Sequence, residues 1–418
     1  MRIHCKAVLV VAFSGMLVCG KAQSRVQAES GLMDARHWNF NEHNLGLTGY
    51  WKFYDGKLLS QDDQQAGAYG TYHFFPGLWN EKRSDKNGIG YGTYSLKILL
   101  PPGIESLALE IPQLYSCYAV YVNDTIVASA GKVGTTREES IPRWIHQIAV
   151  FPVQGKDTLN VVLQIANFHH YKGGVRDLLY LGTPQKIGSH FGWEKITNIA
   201  EAVAVLLAGI IFMIVYAKNK KKVVLYFALM CLTWLVRSLF SNLYLIVGLI
   251  PGIGWNTVVR VEYFTLYFAG IWALLFLYYL FKNIGSSQLL ITVLIVLNLI
   301  FVVFTLFTQP VIFTKWISLY LVVSGIIVFY GAIMVVRALF FEHAGAWFLM
   351  GSILTGVVMF GYDIVVYQAT LSYNFIFLNI GYIVMFMLTA IALLFHLDIL
   401  KSQYGDDVLT YDDMFRKD

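Results

Sequence analysis

The pattern of apolar and polar positions changes sharply at about residue 196. From there to about residue 400, seven long apolar runs alternate with short polar breaks. Each run has about 18 residues or more, which is the length a helix needs to cross a bilayer core of ~30 Å. Because a backbone in lipid must satisfy its own hydrogen bonds, we predict seven membrane-spanning helices. The predicted spans are Ile196–Ala217, Val223–Val247, Asn256–Phe281, Gln288–Phe307, Lys315–Phe340, Ala346–Tyr367 and Phe375–Leu400.

Residues 30–188 show a different pattern, in which short alternating or β-branched runs are interrupted by Gly, Pro and Asn. Many short strands at this spacing are typical of an antiparallel sandwich or jelly roll. We therefore predict an all-β sandwich or jelly roll here. A hairpin turn is expected at Val122–Thr125, because Asn and Asp tolerate positive φ. The predicted strands are Tyr50–Tyr54, Gly70–Phe74, Gly92–Leu99, Ser106–Ile111, Tyr118–Val122, Thr125–Ser129, His146–Phe151, Leu159–Asn167 and Leu178–Leu181.

Composition supports this division into two parts. The chain of 418 residues is 57% hydrophobic and only 14% charged, whereas about 25% charged residues is usual for a soluble domain. The shortage of charge falls after residue 196, which indicates contact with a lipid bilayer. The net charge of +5 does not indicate a nucleic-acid partner, because much of it comes from a single loop. Its four lysines are Lys218, Lys220, Lys221 and Lys222.

The amino-terminal residues predict export. Residues 1–22 begin with the basic residues Arg2 and Lys6, continue with an apolar run and end with small residues near Gly20 and Ala22, which is the layout of a secretory signal peptide. The sandwich, residues 30–188, is then expected outside the cytoplasmic membrane and the basic loop inside, as the positive-inside rule requires. This topology gives a multi-pass protein with its amino terminus outside. The helical domain would cover residues 196–400, and residues 401–418 would form a short cytoplasmic tail.

Several motifs follow one another in the exported region and resemble a known family. They are Leu47–Tyr54 (LTGYWKFY), Pro76–Trp79 (PGLW), Gly90–Leu96 (GYGTYSL), Tyr121–Asp124 (YVND), Gly131–Gly134 (GKVG) and Ala166–Gly174 (ANFHHYKGG). The first resembles the opening strand of galactose-binding-like sandwich domains. Followed directly by seven spans, the order resembles bacterial seven-transmembrane receptors with diverse intracellular signalling modules, over nearly all of the mature chain.

The resemblance implies a carbohydrate-binding-like sensor outside, a helical transducer, and an enzyme or regulator inside. The sequence departs from this pattern at the last step. Only residues 401–418 follow the last predicted span, and no kinase, cyclase or DNA-binding domain fits that length. Two interpretations stay open: the protein signals through a separate cytoplasmic protein, or it is a truncated member of the family.

The loops of the sandwich supply candidates for ligand contact. Sugar-binding sandwiches stack an aromatic face on the sugar ring and fix the hydroxyls with a few polar groups. The candidates are Trp79, Arg143, Trp144, Asn167, His169 and His170. Trp79 lies in a Pro-Gly loop and is equally a plug over the sandwich end. A purely structural role explains Arg143 beside Trp144, in a Pro-containing loop, less well than it explains Trp79. We expect a small extracellular ligand such as a glycan.

The adjacent pair His169 and His170 invites interpretation as a metal site. Neighbouring residues on an extended segment point to opposite sides, so both cannot easily reach one ion. No Cys or carboxylate stands nearby at the spacing of metal ligands. We therefore expect no metal ion and no cofactor, and we interpret the pair as a loop contact or a hydrogen bond that closes the fold.

Five ionisable residues fall inside the predicted spans, where a charge is costly and needs a reason. They are Glu201, Arg237, Arg260, Glu262 and Asp363. Counted along the helices at ~1.5 Å per residue, all five lie in the outer half of the membrane, so that opposite charges can pair. One interpretation is a polar cluster that rearranges when a ligand binds. The other is a group that holds the bundle together or faces a water-filled vestibule.

These observations favour a membrane receptor that is not an enzyme. Its cytoplasmic partner would dock on Lys218–Lys222, on Phe341–Gly345 or on the tail. The alternative is a transporter or a membrane-embedded enzyme that uses the charged cluster as its site. The chain contains no nucleophile elbow, phosphate loop or metal motif, and it has no evident inverted repeat of the kind that transporters use. The oligomeric state stays open.

Overall fold

The computed structural model describes residues 26–60, 63, 69–282, 285–341, 345–369 and 373–397. The predicted signal peptide and the predicted cytoplasmic tail lie outside the described residues.

The amino-terminal part consists of short strands, and every strand predicted from the sequence is present within a few residues of its predicted ends. Four very short strands, β1, β2, β5 and β12, were not predicted, because two or three residues give too little alternation to detect. The strands are β1 Leu32–Asp34, β2 Leu45–Gly46, β3 Gly49–Asp55, β4 Thr71–Phe75, β5 Gly77–Leu78, β6 Gly90–Leu99, β7 Ser106–Ile111, β8 Cys117–Val122, β9 Thr125–Ala130, β10 Gln147–Pro152, β11 Thr158–Asn167, β12 Gly174–Val175 and β13 Tyr180–Gly182.

The strands form the predicted sandwich. One sheet has the order β4-β3-β6-β11-β8-β9, with β1 added in parallel to β6, and the other has the order β10-β7-β13-β2. The two-stranded pair β12-β5 lies beside them. Apart from β1, the named strands pair antiparallel, so the predicted all-β antiparallel class is confirmed.

Alternation along β3 shows how the sequence builds this core. Trp51 and Phe53 are buried between the sheets, while Tyr50 on the other face is exposed. Successive strand residues point to opposite faces, so the same alternation fixes the register. The β8–β9 hairpin turns at Asn123 and Asp124, both with positive φ, as the sequence predicts.

The carboxyl-terminal part contains seven long helices, each long and apolar enough to cross a membrane. The helices are α1 Pro184–Asn219, α2 Lys222–Phe240, α3 Trp255–Leu280, α4 Gln288–Phe307, α5 Ile317–Phe340, α6 Ala346–Ala369 and α7 Phe375–His396. Short helical turns follow α2, at Leu245–Leu249, and precede α5, at Pro310–Phe313 and Thr314–Trp316. Apolar side chains such as Leu207, Ile300 and Phe329 are exposed on the bundle, as lipid-facing positions are.

Most helix boundaries lie within a few residues of the prediction, and two differ from it substantially. Helix α1 begins at Pro184 rather than Ile196, because Thr183 caps it by accepting a 3.3 Å hydrogen bond from the Lys186 amide. Its first three turns pack on β7, β10 and β13. Because these turns contact the sandwich and not lipid, they need no long apolar run, and the hydrophobic pattern did not reveal them. Helix α2 ends at Phe240 rather than continuing to Val247, because the backbone turns through residues with positive φ at Asn242 and Tyr244.

The sandwich packs directly on one end of the bundle, which we call the sandwich end. Loops between the helices meet it there. The Tyr171 amide donates to the Thr314 hydroxyl at 3.1 Å, and Arg137 donates to the Gln309 side chain at 2.8 Å. One continuous apolar cluster includes Trp144 of the sandwich together with residues of the helical domain. The basic loop after α1 lies at the opposite end.

Candidate functional site

A cavity of about 140 Å³ lies between the sandwich and the helices at the sandwich end. The sandwich forms one side of it through Pro112, Gln113, His146, Arg176 and Asp177. Helices α1, α2, α3, α5, α6 and α7, the loop after α2 and Tyr373 before α7 form the rest. A molecule in this cavity would therefore contact both parts of the protein.

Four of the five charged residues predicted to form a membrane cluster line this cavity. They are Glu201, Arg237, Glu262 and Asp363, from four different helices. The fifth, Arg260, lies elsewhere and does not belong with them. Its guanidinium donates to the carbonyls of Thr305, Leu306 (3.1 Å) and Thr308 (2.8 Å) at the end of α4. The final carbonyls of a helix have no partners within it, which explains why an arginine stands there.

The three cavity carboxylates that the helices contribute bond to aromatic residues rather than to Arg237. Glu201 accepts from the Trp234 indole at 2.8 Å, Glu262 from the Tyr244 hydroxyl at 3.3 Å, and Asp363 from the Tyr373 hydroxyl at 2.8 Å. Arg237 donates to the backbone carbonyl of Glu262 at 3.3 Å. Among the described residues, no ion pair joins two of the five predicted charges. Direct pairing, which the sequence suggested, is therefore not the arrangement.

Arg176 and Asp177 bring a second guanidinium and a fourth acidic group to the cavity. Arg176 donates twice to Asp177 Oδ2, at 2.9 and 3.1 Å, and lies 4.5 Å from the ring centre of Tyr373. Burial alone would lower the pKa of Arg176, but the Asp177 carboxylate outweighs it and raises that pKa well above its ordinary value. The other oxygen, Asp177 Oδ1, is buried without a partner among the described residues. One signal for this pair is visible in the sequence: Arg176 and Asp177 carry opposite charges side by side shortly before the first helix.

Two of the predicted ligand residues lie inside the sandwich instead. Trp79 is buried in its core and donates to the Tyr94 hydroxyl at 3.0 Å. Asn167 is also buried, where it donates to the Gly88 carbonyl at 2.8 Å and accepts from the His170 amide at 3.0 Å. These bonds hold the loop after β11. Neither side chain has an exposed face, so the predicted ligand contact does not fit their positions.

Two more predicted residues, Trp144 and His170, form part of a group that we call the aromatic joint. Its members are Tyr115, Trp144 and His170 of the sandwich, Trp255 of α3 and Tyr244 before it. Trp144 lies 5.4 Å from Trp255 and 5.2 Å from Tyr244 between ring centres. His170 stacks on Tyr115 at 4.6 Å, and burial lowers the pKa of His170 to about 3. These rings connect the two domains and are closed to solvent.

Residues 202–397 match the model of the family described as 7TM diverse intracellular signalling. The helical domain belongs to this receptor family. The protein is thus a multi-pass membrane protein of a signalling-receptor class, with a β-sandwich placed before the family's seven helices. No curated protein matches the chain.

The sandwich of this receptor is similar to parts of solved glycoside hydrolases. A GH2 β-galacturonidase from Eisenbergiella tayi is 13% identical, with a TM-score of 0.25, over 34% of this chain and 24% of that chain. A β-glucuronidase from Ruminococcus gnavus is 14% identical, with a TM-score of 0.26, over 33% of this chain and 28% of that chain. The receptor thus spans about a quarter of the length of these enzymes, and the similarity says nothing of activity or ligand.

The remaining two predicted ligand residues of the receptor keep accessible surface. Arg143 is exposed, and its backbone amide donates to the Ser116 carbonyl at 2.9 Å. His169 is half-buried and donates from Nε2 to the Ser140 carbonyl at 3.1 Å. Burial lowers the pKa of His169 below its ordinary value. His169 thus makes a loop contact while its neighbour His170 lies in the aromatic joint, so the two imidazoles have separate roles.

Proposed function

We propose that this receptor binds a small polar ligand in the cavity between sandwich and helices and signals to a cytoplasmic partner. The observation that carries the proposal is the joint lining of the cavity by charged groups from both domains. A ligand can shift a conformational equilibrium only if it binds one state better than the other. Contacts from two domains supply that difference, because any movement of the sandwich on the bundle changes them.

The lining suits a ligand rich in hydroxyl groups, such as a monosaccharide. Guanidinium groups of Arg176 and Arg237 donate to hydroxyl oxygens, while the cavity carboxylates accept from hydroxyl hydrogens. Trp234, Tyr373 and Tyr382 add ring faces. Each water-sized group needs roughly 10–15 Å³. A cavity of about 140 Å³ therefore has room for a molecule of about the size of a monosaccharide.

The exposed face of the sandwich supports a second candidate surface for a glycan. Tyr50 and Phe74 are both exposed on paired strands, with their rings 5.6 Å apart, and the exposed Tyr72 lies beside them. Exposed aromatic side chains in a row on a sheet are the kind of platform on which sugar rings stack. A polymeric glycan, too large for the cavity, would bind here.

Signalling to the cytoplasm requires a defined orientation in the membrane, which we infer from the distribution of basic residues. With the sandwich outside the cytoplasmic membrane, the loop Lys218–Lys222 lies inside, as the positive-inside rule demands. Arg337 lies at the same end, where it donates to the Gly285 carbonyl at 3.3 Å. A cytoplasmic signalling protein supplied in trans would dock on this basic end, because an acidic surface is complementary to it.

The experiment is ligand binding to the full-length protein in lipid nanodiscs, measured by calorimetry with a panel of mono- and oligosaccharides. We expect Arg237→Gln and Arg176→Gln each to weaken binding of the active sugar at least tenfold. Arg143→Gln, an exposed arginine of the same sandwich, is the matched control and should leave the affinity unchanged.

Other outcomes are equally informative. Loss of binding in Phe74→Ala, with Arg237→Gln unaffected, would move the ligand to the sheet face and overturn the cavity site. If no sugar binds but proteoliposomes take up a solute in an Arg237-dependent manner, the transporter alternative replaces the receptor. Cleavage of the sandwich by protease added to intact cells tests the topology independently.

A further inference from the structure

A buried group of carboxylates and imidazoles lies where α1 packs on the sandwich, next to the cavity and sharing only His146 with its lining. Strand β7 supplies Glu110, the residue before β10 is His146, and α1 supplies Glu194. One nitrogen or oxygen atom from each of the three lies within 4.8 Å of the others, and all three residues are buried. Strands β7 and β10 and helix α1 are far apart in the sequence, so no motif of fixed residue spacing indicates this group.

The hydrogen bonds among the described residues leave one carboxyl oxygen of this group unsatisfied. His146 Nε2 donates to Glu110 Oε1 at 3.0 Å, and His190 Nδ1 donates to Glu110 Oε2 at 3.0 Å. Glu194 is only 4% exposed, and its Oε2 has no partner among the described residues. A buried carboxylate oxygen without a partner is costly, and a cation beside it would remove that cost.

The donor atoms indicate which cation. Imidazole nitrogen together with carboxylate oxygen suits first-row transition metals, Zn²⁺ in particular, whereas Ca²⁺ and Mg²⁺ favour sites of oxygen alone. Zn²⁺ binds such atoms at about 2.0–2.2 Å, so the three side chains would close by about an ångström around it. His190 lies one turn before Glu194 on the same face of α1, and its half-exposed side chain leaves a path to solvent.

We propose that Glu110, His146 and Glu194 bind a Zn²⁺ ion that links the sandwich to the first membrane helix, with His190 as fourth ligand or as the group that orients Glu110. The ion would join strands β7 and β10 to α1, and so tie the exported domain to the bundle. His146 also borders the cavity, so the ion would fix part of its wall. The proposal does not depend on which ligand the cavity takes.

The test uses the full-length protein in detergent, stripped of metal with a chelator and titrated with Zn²⁺ by calorimetry and with Co²⁺ by visible absorption. We expect one equivalent of tight binding, and a Co²⁺ spectrum typical of nitrogen and oxygen ligands. Glu194→Gln and His146→Gln should each weaken the affinity at least tenfold. His169→Gln, at the histidine that the sequence singled out, is the matched control and should bind Zn²⁺ as the unchanged protein does.

Two results would overturn the proposal: less than one equivalent bound by the unchanged protein, or affinity retained in both Glu194→Gln and His146→Gln. Because a buried substitution can prevent folding, Glu194→Asp serves as a second variant that keeps the charge but withdraws the carboxylate. In it, the rise in melting temperature on adding Zn²⁺ should shrink while the melting temperature without metal stays close to that of the unchanged protein. An undiminished rise would contradict the site as well.

Discussion

The core of the sandwich and the junction between the sandwich and the helices differ in the polarity of their side chains. The core cluster between the sheets consists of apolar and aromatic side chains, such as Phe53 against Tyr94 at 4.4 Å. The junction contains charged residues from both domains, buried oxygens without partners, and a cavity. Apolar packing is strong and insensitive to what binds nearby, whereas unsatisfied polar groups respond to any ligand that satisfies them. We therefore expect stability to be concentrated in the first region and the response to a ligand in the second.

The largest effect on stability is expected from removing a large side chain from the sandwich core. Phe53→Ala should lower the free energy of unfolding of the sandwich by about 4 kcal/mol, through lost burial and the cavity left behind. Denaturant unfolding of the full-length protein, followed by near-ultraviolet circular dichroism, measures this change. Phe74→Ala is the control, because Phe74 is 41% exposed where Phe53 is 2% exposed. Equal losses in the two variants would show that the core does not dominate stability.

A smaller and different effect is expected at the aromatic joint. Trp144→Ala should cost about 3 kcal/mol, but the loss would fall on the attachment of the sandwich to the helices rather than on the sandwich core. Calorimetry should therefore show one unfolding transition separating into two.

The control for this variant is Trp193→Ala on the first helix. Trp193 is 59% exposed and Trp144 only 4%, so removing Trp193 should leave the transition single. If Trp144→Ala also unfolds in one transition at the original temperature, the joint does not couple the domains.

The smallest predicted effect is a pH dependence at the same joint. Burial lowers the pKa of His170 from 6.5 to about 3, and the groups that face it are the Tyr115 ring, the Trp144 ring and the charges of Lys172 and Arg176. A lowered folded-state pKa stabilises the protein above the unfolded value and loses that contribution as pH falls through 6.5 towards 3.

Between pH 7.5 and 5, His170 should therefore account for about 2 kcal/mol of lost stability. The measurement is the unfolding free energy at several pH values in the unchanged protein and in His170→Gln, whose side chain does not titrate. The variant should show a weaker dependence on pH. The same dependence in both proteins would assign the acid sensitivity to other groups.

The sequence was informative where one physical requirement governs a position. Lipid-length apolar runs can only be helices, and alternation fixes a two-faced strand, so spans and strands could be predicted. A charge within a span is costly, which is why the structure brings four of the five such charges to one cavity. Arg260 was misplaced because its depth in the membrane does not reveal that a neighbouring helix ends beside it.

Side-chain direction and distant neighbours could not be predicted. Loop position made Trp79 and Asn167 candidates for ligand contact, with a plug over the sandwich end as the equal alternative for Trp79. A loop can turn its side chains inward, and the structure buries both. Arg176 and Glu110 escaped notice because their importance comes from partners contributed by other elements of the fold. Contacts of this kind are fixed by tertiary packing, which a single sequence does not display.

Helix α1 has a consequence for how a signal would travel. It runs for 36 residues without an internal proline, which at ~1.5 Å per residue is about 54 Å of uninterrupted rod. Glu194 and Glu201 are two turns apart on the same buried face, and the lysine loop begins where the rod stops. A helix of this length without a break resists twisting about its axis. A rotation of the sandwich must therefore either bend α1 or rotate the lysine loop by the same angle. We therefore expect this connection to convey a rotation of the sandwich to the opposite end of the bundle.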